Sequence, residues 1–175
     1  MPVLNVPQTD AEKAADIIRD AGGEVVGRTR LQKIAYLLEI TDLGSNFSFE
    51  YRHYGPYSED LANGIAAACL WNLISEEERT AAWGGTYSIF KTSQANPKTD
   101  VNSARKKILD LGTRANPISL ELAATAAFLA NEGDSAPWKE TSRRKPEKAK
   151  KWLQNAKELY AELKLVDTPK PLPAI

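Results

Sequence analysis

Apolar residues in this chain recur mostly at spacings of three and four, and in two places at every second position. Ala11, Ala14, Ala15, Ile17 and Ile18 form a first helical stripe that stops at Gly22 and Gly23, and Thr9 with Glu12 makes a capping-box signature before it. A short extended link at residues 24–26 leads to a second helix starting at Gly27 or Thr29, with Leu31, Ile34, Ala35, Leu37 and Leu38 facing inward. Arg28, Arg30 and Lys33 crowd the opening of that helix, where the dipole disfavours cations. They read either as solvated charges or as groups turned toward a partner.

The first alternating run lies in residues 47–61, FSFEYRHYGPYSEDL. Phe47, Phe49, Tyr51 and His53 share the expected core face, and Ser48, Glu50, Arg52 and Tyr54 the wet one. Gly55 and Pro56 break the run, and Ser58 is placed to cap a third helix that reaches Leu70 and buries Leu61, Ile65, Ala68 and Cys69. The second run gives a hairpin from residues 73–79 and 86–91, turning at Trp83, Gly84 and Gly85. Three helices followed by a hairpin predict a winged-helix-like N-terminal core in a mainly α fold, with the third helix in the recognition position.

A polar loop with Pro97 is expected at residues 94–100, then a basic helix over residues 101–111 closed by Gly112. A further helix starts at Pro117 or Ser119 and is apolar enough to be buried, and residues 134–145, with Pro137 and Trp138, read as a loop. Pro146 opens a long amphipathic helix carrying Ala149, Trp152, Leu153, Ala156, Leu159, Tyr160 and Leu163 on one side. Residues 1–165 are thus expected to form one domain with a C-terminal helical extension, and residues 166–175 a proline-rich, mobile tail.

Composition narrows the chemistry. At 175 residues and 42% hydrophobic the chain suits one well-buried domain, and 23 basic against 23 acidic residues give no global field toward a polyanion or membrane. One cysteine, no leading basic-apolar segment and no long apolar run point to a cytoplasmic protein without an internal disulfide. His53 and Cys69, the lone members of their types, cannot assemble a usual zinc set, and no phosphate-binding loop, dinucleotide fingerprint, nucleophile elbow or zinc-protease motif occurs. Glu76, Glu77 and Glu78 read as a solvated strand edge. The expectation is a non-enzyme without cofactor or metal.

DNA binding is the rival for a winged-helix-like core. Its third helix carries Glu59 and Asp60 and no Lys or Arg, so this surface would repel phosphates; the basic residues lie at Arg105, Lys106, Lys107 and residues 143–151. The rings of Tyr51, His53, Tyr54, Tyr57, Trp83 and Trp138 suit a protein partner better. Arg28, Arg30, Tyr54, Gly55, Pro56, Tyr57 and Trp138 are the candidate partner-binding residues.

RTRLQKIAYLLEI at residues 28–40, FEYRHYGPYSEDL at 49–61 and APWKET at 136–141, in that order, resemble the SocA-like antitoxin, or Panacea, proteins and their YwgA-like and phage-associated relatives. Leu31, Gln32 and Lys33, then Tyr54, Gly55 and Pro56, then Pro137 and Trp138 are the matching positions. The resemblance implies a mostly helical domain that neutralises a protein toxin, in some members by delivering it to a protease. Tyr57, Ser58, Glu59 and Asp60 follow the Gly-Pro pair where the better-known antitoxins often continue with hydrophobic residues and another proline, a departure that leaves the YwgA-like branch open.

Overall fold

The computed structural model describes residue 4, residues 6–93 and residues 101–175. The loop expected at 94–100 lies outside these residues. The described residues are mostly helical, with two small antiparallel sheets.

Helix α1 (Asp10–Asp20) begins with the expected capping box: Thr9 accepts from the Glu12 amide, and the Glu12 carboxylate accepts from the Thr9 amide at 2.8 Å. The extended link becomes strand β1 (Glu24–Val26), and α2 (Arg28–Ile40) follows with almost every residue after its first turn buried. Next come β2 (Glu50–Arg52), β3 (Gly55–Tyr57) and α3 (Glu59–Leu70), whose Ser58 cap accepts from the Leu61 amide as expected. Strands β4 (Ile74–Thr80) and β5 (Thr86–Thr92) form the expected hairpin, and β1 adds to it, giving the antiparallel order β1-β5-β4.

Four further helices follow among the described residues: α4 (Ser103–Arg114), α5 (Pro117–Asn131), α6 (Pro137–Arg144) and α7 (Pro146–Lys164). Helix α5 is apolar on all sides and packs against α2, α6 and α7, while α1 packs on α3. None of the helices among the described residues is long and apolar enough to cross a membrane.

Several local expectations are corrected. Gly55 and Pro56 do not end the extended run. They form β3, with Tyr51 opposite Pro56 and Arg52 opposite Gly55, so the turn falls at His53 and Tyr54 and leaves His53 exposed instead of on the core face. Gly112 does not close its helix, which continues to Arg114; a side chain there would lie 2.5 Å from Ile34 Cγ1, so the glycine serves the close approach of α2 and α4. Residues 137–144 are helix α6, with Pro137 in the first turn where its missing N–H is not needed.

The proline-rich tail is docked. Leu172 is buried, the Lys170 amide donates to the Thr41 carbonyl at 3.3 Å, and the Tyr160 hydroxyl donates to the Pro173 carbonyl at 2.6 Å. Burying one leucine contributes roughly 2 kcal/mol. Leu172→Ala is therefore expected to lower the unfolding free energy by about 2 kcal/mol in urea titration; an unchanged midpoint would show that the tail adds nothing to the fold.

Candidate functional site

Helix α2 runs through the interior, and its polar residues Gln32 and Lys33 go in with the apolar ones, at 5% and 1% exposure. Both find backbone partners in one short stretch. Gln32 donates to the Ser58 carbonyl at 2.9 Å and accepts from the Ser58 amide at 2.8 Å, so its amide group behaves like a neighbouring strand. Lys33 donates to the Pro56 carbonyl at 2.7 Å. These three bonds fix strand β3 and, through the Ser58 cap, the first turn of α3. Gly55 completes the fit: its φ is +93°, and a Cβ would lie 2.5 Å from Thr125 Oγ1 on α5.

The far side of the hairpin is held by charge. Glu121 on α5 is buried and accepts from Lys145 and Lys148, both at 2.8 Å. Lys145 also donates to the His53 carbonyl at 3.1 Å, which ties the hairpin tip to the α6–α7 junction. The Tyr54 ring meets the His53 ring edge-on at 4.8 Å and carries the Lys148 ammonium 5.0 Å from its centre. Tyr54 nevertheless stays 51% exposed.

A half-open cleft of about 190 Å³ results between α2, α3, β5 and the hairpin. Ala62, Ile65, Ala66 and Phe90 supply its apolar wall, Tyr54 and Tyr57 one edge, and Arg28, Gln32, Lys33 and Glu76 its polar groups. Arg28 is tied down at the rim, pairing with Glu76 and donating to Ser88 Oγ at 3.2 Å. Tyr57 is half-buried, with the Arg52 guanidinium 4.5 Å from its ring centre.

The candidate partner-binding residues therefore divide. Arg28, Tyr54 and Tyr57 line one cleft. Gly55 and Pro56 are buried and shape the hairpin beside it. Arg30 is used internally: it donates to the carbonyls of Gly112, Thr113 and Ala115, at 2.6–3.1 Å, where α4 ends and a cation is favoured. Trp138 lies elsewhere, partly buried and edge-on to Tyr160 at 5.8 Å. Sequence reasoning missed the inward roles of Gln32, Lys33 and Glu121. For Glu121 the available signal was context, since it sits in a helix whose other positions are apolar nearly all round; α2 also carries Arg28, Thr29, Arg30 and Glu39, so nothing of that kind singled out Gln32 and Lys33. No cluster of three or more His, Cys, Asp or Glu residues that could hold a metal ion is found among the described residues.

Burial holds the Lys33 ammonium down to about 7; Glu121 pulls it up, and Lys145 and Lys148 push it further down. Between about pH 7 and 10 the unfolded chain keeps this proton and the folded chain does not, so the stability contributed at Lys33 rises with pH across that window. Lys33→Met removes the bond to Pro56 at any pH but shares every other titrating group. The stability gap between native chain and variant should therefore widen by about 1 kcal/mol or more from pH 6 to pH 9. A constant or narrowing gap in denaturant unfolding would contradict the assignment of a depressed lysine.

No protein-family model matches the chain. Over 111 residues it is 27% identical to the uncharacterized protein YwgA of Bacillus subtilis (strain 168), a match covering 61% of this chain and 66% of YwgA. The chain is thus similar to a YwgA protein and spans just under two thirds of that relative's length.

Proposed function

We propose that this protein is a non-enzymatic protein-binding module that recognises its partner with the β2–β3 hairpin tip and the adjoining cleft. One observation carries the reading: Tyr54 is a large ring left half exposed on a backbone that Lys33 and Lys145 clamp from inside. An aromatic anchor that is already ordered loses little entropy on binding. The cleft next to it offers an apolar wall, and Arg28 and Glu76 supply a charged rim that favours specificity more than affinity.

In the finer form of this reading, the N-terminal elements α1, β1, α2, α3 and the β4–β5 hairpin make a winged-helix-like core used for protein recognition, and the activity is antitoxin-like neutralisation or delivery of a client to a protease. The order of the elements and the LQK, Tyr-Gly-Pro and Pro-Trp motifs support it. The alternative, DNA binding through the C-terminal elements, draws on the exposed Arg143, Lys150 and Lys151 of α6 and α7. It requires affinity that falls steeply with salt.

Co-expression with the product of the neighbouring gene, scored by growth rescue and co-purification, tests the proposal. Tyr54→Ala is expected to weaken the complex at least tenfold, about 1.4 kcal/mol, while the melting transition stays in place. Unchanged affinity in the variant, or a harmless neighbour that forms no complex, would count against the reading.

A further inference from the structure

We propose that the cleft between α2, α3 and the β2–β3 hairpin binds a small apolar carboxylate: an aryl or alkyl body about the size of a benzene ring, bearing one carboxyl group. The inference stands apart from partner recognition, since it concerns the interior of the cleft and a ligand of small size.

The first ground is the state of Lys33. An ammonium carries three donors. That of Lys33 is 1% exposed and donates to the Pro56 carbonyl, with no second hydrogen bond among the described residues. Lys33 is among the residues that line the open cleft, its spare donors suit an oxygen acceptor, and an anionic one forms the stronger bond. The second ground is charge. Arg28 and Glu76 offset each other at the rim, so among the lining side chains a protonated Lys33 leaves one positive charge, while Glu121, Lys145 and Lys148 act on it from behind the hairpin. One carboxylate neutralises it.

Thr29, Gln32, Tyr54 and Tyr57 line the cleft as well, and its apolar wall sets the body of the ligand. Ala62, Ile65, Ala66 and Phe90 offer no partner for further polar groups, and a dianion such as phosphate would be left under-solvated against them. Apolar cavities of ~150 Å³ accept benzene. A cleft of about 190 Å³ leaves room for one such ring and a short acid arm. Its open side lets the ligand enter without disruption of the core.

Calorimetric titration of the full chain at pH 6 with 3-phenylpropanoate, its neutral counterpart 3-phenylpropan-1-ol, and inorganic phosphate tests this. The acid is expected to bind saturably and at least tenfold more tightly than the alcohol, with no binding of phosphate. Ala66→Phe, an exposed position on the apolar wall, fills the cleft while leaving Lys33 in place, and should abolish binding; Lys33→Met should erase the preference for acid over alcohol. If Lys33→Met does not fold, Ala66→Phe still decides. No saturable binding of the acid, equal affinity for acid and alcohol, or binding that survives Ala66→Phe would overturn the proposal. So would a peptide ending in phenylalanine that binds where the free acid does not, which would give the cleft to a partner's chain end. Failure here leaves the Tyr54 result with the neighbouring gene product untouched.

Discussion

The three hydrogen bonds that Gln32 and Lys33 make with the backbone of Pro56 and Ser58 join the buried helix α2 to the smaller of the two sheets among the described residues. Strands β2 and β3 have three residues each, and a two-stranded hairpin of that size has little stability of its own in water. Its shape is instead imposed from α2. The same bonds place Ser58 at the start of α3, so the orientation of that helix, and with it the width of the cleft, follows from two side chains on a neighbouring element. Burying an amide and an ammonium is costly unless their polar atoms are paired, which makes the arrangement specific. The hairpin backbone pairs both ends of the Gln32 amide and takes one donor of Lys33.

A second polar cluster closes the hairpin from behind. Glu121, Lys145 and Lys148 come from α5, the α6–α7 junction and α7, and Lys145 reaches the His53 carbonyl. Ion pairs of this burial contribute little net stability against apolar replacements, yet loss of one member leaves an uncompensated charge. Their effect here is to bind the C-terminal helices to the hairpin tip. The N-terminal elements and the helical extension therefore meet at Tyr54, whose exposed ring sits against the Lys148 ammonium.

What was legible in the sequence was local. The Thr9–Glu12 box, the Ser58 cap, Pro146 and the alternation of residues 86–91 each act over a few residues, and each helix or strand start they signal is present. What was illegible depends on distant partners. Gly55 and Pro56 carry turn chemistry but sit in a strand, because α2 and α5 hold them there. Gly112 resembles a helix stop and is a contact with Ile34. Residues 166–175 have the composition of a loose tail, and only the fold shows Leu172 a pocket and Pro173 a donor in Tyr160. For the candidate site, the aromatic turn and Arg28 carry the composition of a surface and converge on one cleft. Arg30 and Trp138 do not, since nothing in their spacing reveals the α4 carbonyls or the Tyr160 ring that occupy them.

The central claim is that Gln32 and Lys33 hold the hairpin and thereby form the cleft. Amide hydrogen exchange of Gln32→Leu, compared with the native chain, tests it most directly. The account predicts that protection falls at Ser58, at Leu61 and across residues 50–57, while α5 and α7 keep theirs. Unchanged protection over residues 50–61 in a folded variant would contradict it, because the hairpin would then stand without its helix.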